Sequence, residues 1–151
     1  RRLDVKGEIN NVLILDDYAH HPTEIKATLD AVEQAWKRPV TAIFQPHRYS
    51  RTKALADAFA KELSRVNRLI IMPVYAASET PIPGVDAQML ADKCRMLGAQ
   101  NITVMESADT IADYLGKILV PGDIAISLGA GDVFKVTDIL VDRLKPDQEN
   151  L

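Results

Sequence analysis

Seven consecutive residues, Asp16-Asp17-Tyr18-Ala19-His20-His21-Pro22, hold two carboxylates, a phenol and two imidazoles, with no glycine to relax the backbone. Groups of these types can ligate a metal, hydrogen-bond a ribose or a substrate, or cap a helix. A second set, Gln45-Pro46-His47-Arg48-Tyr49-Ser50-Arg51, adds the third histidine of the chain and two arginines. Arg48 and Arg51 bracket the start of a helical pattern. Cations at the positive end of a helix dipole are mismatched by about 0.3–1 kcal/mol each. A bound anion reverses that sign. Amide groups with two guanidinium forks make a carboxylate or phosphate site, each charge-assisted hydrogen bond contributing about 1.5–3 kcal/mol. The competing reading is that both arginines are solvated, or pair with Asp57 or Glu62.

The histidines admit three readings. His20, His21 and His47 could bind a metal beside the carboxylates, although adjacent histidines on an extended segment point opposite ways. One or two could hydrogen-bond a substrate in a pocket. Alternatively, one caps the helix at Pro22 and another packs against Trp36 or Tyr49. Asp16 and Asp17 end a strand, where an acidic residue can hold a ribose or cap the following helix. Gly129-Ala130-Gly131-Asp132 is a tight strand-to-helix turn, and a lone G-x-G specifies no ligand by itself. The chain contains no G-x-x-x-x-G-K-[ST] phosphate loop, so a triphosphate would need another domain to hold it.

Alternating elements must position these groups. Apolar runs at Val12–Leu15, Val40–Phe44, Leu69–Val74, Ile102–Met105 and Ile124–Leu128 read as strands covered on both faces. Between them, apolar residues recur at helical spacing: Ile25, Leu29, Val32 and Trp36; Leu55, Phe59, Leu63 and Val66; Leu90, Cys94 and Leu97; Ala108, Ile111, Leu115 and Ile118; Val133, Val136 and Leu140. Ser50, Asp86 and Ser107 are the expected N-caps, and Gly98 ends the third helix. Residues 1–9, with Leu3, Val5 and Ile9 alternating, read as an antiparallel edge strand turned at Gly7 and Asn10-Asn11. The tail from Lys145 reads as polar and frayed. The expectation is one α/β domain over residues 1–151, a Rossmann-like αβα sandwich with about six strands. In such a sheet the loops after the first, second, third and fifth strands share one edge. Those loops carry all three histidines, both arginines, Tyr75, Ala76 and the Gly129–Asp132 turn.

Composition bounds the rest. The 151 residues are 47% hydrophobic and 26% charged, with net charge −3. This gives no electrostatic case for nucleic acid or a membrane surface as partner. No run approaches the ~20 apolar residues of a transmembrane helix, and no signal peptide is visible, so a cytoplasmic location is expected. The lone Cys94 reads as a buried reduced thiol. The chain opens without Met and in mid-strand, as an excised piece of something longer would.

The two polar sets, with Thr23-Glu24-Ile25, Thr52, Val74-Tyr75-Ala76-Ala77, Pro81-Ile82-Pro83-Gly84 and Gly129–Asp132, resemble the C-terminal domain of the Mur ligase family of peptidoglycan synthesis. Within that family the His-Arg-Tyr-Ser-Arg run is similar to the branch that adds L-alanine to UDP-N-acetylmuramate. The resemblance covers essentially the whole chain and departs at Ser78, where the family pattern usually has Gly. It implies a three-domain, ATP- and Mg²⁺-dependent ligase whose N-terminal UDP-binding and central ATPase domains are partners absent here. In that ligase the muramyl carboxylate becomes an acyl phosphate that the amine of L-alanine attacks. Carried over by motif, Asp17 and Tyr18 would contact ATP, and His20, His47, Arg48 and Arg51 would bind the L-alanine carboxylate. Tyr75, Ala76, Gly129, Gly131 and Asp132 would shape the pocket. The resemblance implies no catalytic residue, metal site or tightly bound cofactor in this piece alone, which would be inactive. A ligase recycling murein tripeptide and a free-standing nucleotide- or carboxylate-binding module remain the alternatives.

Overall fold

The computed structural model describes residues 2–146; Arg1 and the tail from residue 147 onward lie outside the described residues. Asp4–Ile9 (β1) and Val12–Asp17 (β2) form an antiparallel hairpin. Asn10 and Asn11 turn it with φ of 54° and 62°, values the Asn side chain tolerates in two-residue hairpin turns. Gly7 does not turn the strand. It sits where the β1–β2 register slips by a residue. That irregularity breaks the expected alternation, and Val5 is 53% exposed.

From β2 onward the sheet is parallel, in the order β1-β2-β6-β3-β4-β5, with Val40–Phe44 as β3, Arg68–Ile71 as β4, Ile102–Val104 as β5 and Ile124–Leu128 as β6. Strand β4 stops at Ile71 rather than Val74, because Pro73 has no amide to donate. Successive side chains serve opposite faces. Leu13, Leu15, Ala42 and Phe44 join a core with helices Pro22–Trp36 (α1), Ala56–Leu63 (α3) and Ala87–Met96 (α4). Val12, Ile14, Ile43 and Ala125 join a second core with Ala108–Ile118 (α5) and Phe134–Leu144 (α6). Helices on both faces of a six-stranded, mostly parallel sheet are the three-layer architecture that the alternation predicts. Burial pushes the Cys94 thiol up, and it packs inertly in the first core. Asp86 and Ser107 cap α4 and α5 as expected, whereas Leu97 lies past the end of α4 and is 59% exposed.

One continuous second helix does not form. Tyr49–Ala54 (α2) and α3 are separated by Leu55, at φ −116°. Among the described residues, no helix is long and apolar enough to cross a membrane.

The topology fixes where a ligand can sit. The helices that follow β2 and β3 pack on one face of the sheet, while α6, following β6 between them, packs on the other. Diverging connections leave a crevice outside the carboxyl ends of β2, β6 and β3.

Candidate functional site

The loops at this crevice are joined edge to edge. The Gly129 amide donates to the Asp17 carbonyl at 3.2 Å, and the Gln45 amide to the Leu128 carbonyl at 3.1 Å. Beyond the end of β4 the chain meets the β3 loop again: Tyr75 N–H donates to the Pro46 carbonyl and Arg48 N–H to the Tyr75 carbonyl, both at 2.8 Å. These bonds bring the four polar loops of the sequence into one wall.

Four rings line it in series. Tyr18 meets His20 edge to face at 5.0 Å, His20 lies 6.0 Å from His47, and His47 stacks on Tyr75 at 5.4 Å and 9°. Arg51 Nη1 donates to His47 Nδ1 at 3.2 Å and reaches the His47 carbonyl at 3.3 Å. A guanidinium only donates, so His47 Nδ1 accepts and the ring proton sits on Nε2. Burial, with Arg51, His20 and Arg48 nearby, holds the His47 pKa below its usual 6.5 despite Glu79. His20 differs: its Nδ1 lies 3.0 Å from the Tyr18 carbonyl, which only accepts, so Nδ1 carries a proton there. The wall therefore presents the neutral His47 ring, Arg51 and, at its exposed rim, Arg48.

The depressed His47 pKa has a measurable consequence. In the unfolded chain this histidine takes up its proton near 6.5; in the folded chain it resists. The unfolded state thus binds more protons as pH falls below 6.5, and stability falls with it, by at most about 1.4 kcal/mol per pH unit for one proton. The loss ends once pH passes the folded value. His47→Gln is expected to flatten this dependence, read by urea unfolding between pH 7.5 and 5. An unchanged slope would remove His47 as its source.

His21 does not face the wall. Its Nδ1 accepts from the Thr23 amide at 3.2 Å, and Glu24 returns to the His21 amide at 3.1 Å, closing a capping box at α1. Among the described residues the ring partners of His20 are Tyr18 and His47, and those of His47 are His20 and Tyr75, in place of the expected Trp36 or Tyr49. Among the described residues no group of three or more His, Cys, Asp or Glu is placed to hold a metal ion.

Asp17 is 3% exposed and engages both oxygens locally: Oδ2 accepts from the Leu3 amide at 2.7 Å and Oδ1 from the Ala19 amide at 2.8 Å. Asp16 is deeper still, bonded to Ser127 Oγ at 2.6 Å. The pair is split between the two faces, as alternation requires, with Tyr18 exposed above them.

Two residues that received no role from the sequence turn out to organise the wall. Gln45, 5% exposed, donates from Nε2 to Asp132 Oδ1 at 2.8 Å, tying β3 to the glycine turn. Gly131 is packed against it: a Cβ there would lie 2.5 Å from Gln45 Oε1 and 2.9 Å from the Tyr75 ring. At Gly129 a Cβ would meet Val133 Cγ1 and the Gln45 carbonyl at 3.0 and 3.1 Å. Glu79 is the second such residue. It binds the Ser50 amide at 3.0 Å and the Ser50 hydroxyl at 2.5 Å, so Ser50 is not the cap of its own helix. The Ser50 contacts hold the Glu79 carboxyl below its usual range. Arg48 takes the N-cap position at φ 73°, with Ala77 at 51° and Ser78 at 73° in the facing loop. Each such left-handed non-glycine residue costs about 1–2 kcal/mol. The helix-dipole argument for an anion weakens accordingly: α2 has six residues and its first amides are already taken.

A cavity of about 320 Å³ opens beside Tyr75, with Gln45, Glu106, Asp132 and Lys135 in its lining. A larger one, about 760 Å³, lies at the opposite edge around Leu29, Val40 and Arg65, where Arg65 is held by Asp30, Glu33 and Glu62; it contains none of the residues above. The smaller cavity adjoins the wall through Gln45, Tyr75 and Asp132.

Comparison with known proteins gives the family and the fold. A family model described as "Mur ligase, glutamate ligase domain" matches residues 1–131. The UDP-N-acetylmuramate–L-alanine ligase of Geotalea uraniireducens is 44% identical over 147 residues, 97% of this chain and 32% of that protein. The crystal structure of the UDP-N-acetylmuramate–alanine ligase of Thermotoga maritima superposes with a TM-score of 0.73 at 25% identity, over 95% of this chain and 29% of that one. A murein peptide ligase from Psychrobacter arcticus has the same fold, with a TM-score of 0.76 at 22% identity, over 95% and 30%. The chain thus spans about a third of the length of the relatives it matches.

Proposed function

We infer that this chain, which belongs to the Mur ligase family, is the C-terminal, amino-acid-side domain of an ATP-dependent ligase joining L-alanine to the carboxylate of UDP-N-acetylmuramate. The observation that carries the reading is the convergence of His20, His47, Arg48 and Arg51 on one crevice wall, with Arg51 locked to His47. Two guanidinium groups beside a neutral imidazole suit a small carboxylate. Anchoring that carboxylate fixes where the α-amine lies, which is the positioning an amide ligase needs from its nucleophile domain. Arg51 and Arg48 take the carboxylate, and the His47 Nε2–H is available as a further donor.

Tyr18 and Asp17 form the nucleotide side. Tyr18 offers an exposed ring, while Asp17 would have to release the Leu3 amide to reach a ribose hydroxyl. ATP supplies the phosphoryl group that activates the muramyl carboxylate. The chain has no G-x-x-x-x-G-K-[ST] phosphate loop and spans about a third of the length of its relatives, so we place phosphate and Mg²⁺ binding on the remaining two-thirds of the ligase and expect no ligase turnover from residues 1–151 alone.

The runner-up is the tripeptide-recycling ligase. Fold similarity does not separate the two, since both solved relatives superpose equally well. The 44% identity to a ligase named for L-alanine favours the single amino acid.

Arg48→Ala in the full-length ligase tests the assignment. The KM for L-alanine is expected to rise about ten-fold, with the KM for ATP within about two-fold of the parent. An unchanged KM for L-alanine removes Arg48 from the carboxylate site, and preferential use of tripeptide in a competition assay replaces the substrate.

A further inference from the structure

We propose that Glu79 is a positioning residue of this site: by holding the start of α2, it sets Arg48 and Arg51 for the amino-acid carboxylate. This rests on the amino-acid reading above.

Helix α2 lacks a cap of its own. Arg48 occupies the N-cap position of α2 and makes no side-chain cap bond. Glu79 does that work from another loop, 29 residues away, through the Ser50 amide and hydroxyl and with help from the Tyr49 amide. Ser50 lies between the two arginines, so a shift of Ser50 moves both.

The loop that delivers Glu79 is held in an unfavourable backbone. Ala77 and Ser78 are both left-handed without being glycine, and the Glu79 amide closes the turn on the Ala76 carbonyl at 3.0 Å. Such conformations persist where the surroundings over-determine them. Here the surroundings are the Glu79–Ser50 contacts on one side and Tyr75 on the other. Tyr75 belongs to the same loop, stacks on His47 and accepts the Arg48 amide. A single loop thereby fixes the imidazole through Tyr75 and the arginines through Glu79.

The first amides of α2 are occupied by an internal carboxylate, which leaves the guanidinium groups to receive an external one. The opposite arrangement, with Glu79 as an occupant that the incoming carboxylate displaces, predicts an effect of opposite sign.

The test uses the full-length ligase, with L-alanine, ATP and UDP-N-acetylmuramate varied separately and Tm measured alongside. Glu79→Ala is expected to raise the KM for L-alanine at least about ten-fold and leave the KM for ATP within about two-fold. Glu79→Gln keeps an acceptor for the Ser50 amide and is expected to recover most of the loss. A lowered KM for L-alanine would make Glu79 a displaceable occupant and overturn the proposal. So would an unchanged value, or an equal rise in every KM together with a fallen Tm. If Glu79→Ala does not fold, Ser50→Ala deletes the hydroxyl contact alone and is expected to raise the same KM about three-fold; no change there overturns the proposal. Arg51→Ala in the same assay separates the two readings. If it leaves the L-alanine KM unmoved, the amino-acid reading itself fails. If it raises that KM while the Glu79 variants do not, only the Glu79 inference fails.

Discussion

Replacing Arg51 with alanine is expected to raise the KM for L-alanine in the full-length ligase about 100-fold, since one lost charge-assisted contact costs about 1.5–3 kcal/mol. The KM for ATP should stay within about two-fold. Arg51 does two things at once. It is the half-buried cation of the wall, and its Nη1 pins His47 through both Nδ1 and the carbonyl. Its removal therefore takes away a carboxylate partner and frees the imidazole to rotate. Arg51→Lys restores the charge but not the planar fork, and is expected to recover only part of the loss, leaving KM about ten-fold high. Steady-state kinetics with L-alanine and ATP varied in turn decides it. A KM for L-alanine unmoved by either substitution would leave the wall without its central cation and end the carboxylate assignment.

Gly131→Ala is expected to bring turnover below about 1% of the parent and to lower stability by about 1–3 kcal/mol, the usual range for overpacking. Gly131 is not among the glycines at positive φ, so the backbone has no objection to alanine. The obstacle is contact. The new methyl would sit 2.5 Å from Gln45 Oε1 and 2.9 Å from two Tyr75 ring atoms, distances that real Cβ atoms do not adopt. Gln45 is buried and tied to Asp132 through Nε2, so its amide and the Tyr75 ring both have to shift. A displaced Tyr75 unstacks from His47 and loosens the bridge to Arg48. Gly116, on α5 with nothing within 4 Å of its missing Cβ, is the control: alanine there should stabilise by about 0.5–1 kcal/mol and leave kinetics alone. Gly131→Ala with parental kinetics would show that Tyr75 does not hold His47.

The elements were legible because their causes are local. Val12–Leu15, Val40–Phe44 and Ile124–Leu128 are runs too apolar for anything but a doubly covered strand, and all three are strands in the structure. Asp86 and Ser107 cap the helices that follow them, bonding three residues along the same chain. The failures are non-local. Ser50 has the right residue type for a cap, but Glu79 claims its hydroxyl. Val5 alternates correctly in sequence and faces outward because the register slips between Val5 and Gly7. His21 is the local exception: its capping box with Glu24 spans three residues, but histidine is not among the residue types that mark an N-cap.

The same division holds for the site. Residue types and spacing by themselves determined the α/β class and the single polar edge, because strand–helix alternation sends every such loop to one edge of a parallel sheet; the family, and the choice of His20, His47, Arg48 and Arg51 as the carboxylate set, came with the resemblance that the two polar motifs carry. Tertiary structure alone decided who touches whom there. It paired Arg51 with His47, stacked His47 on Tyr75, turned Asp17 inward to the Leu3 and Ala19 amides, and brought Gln45 to Asp132 and Glu79 to Ser50. Those last two contacts join residues 87 and 29 positions apart. No periodicity records a bond of that span, since it exists only after the strand order has brought the loops after β3, β4 and β6 side by side.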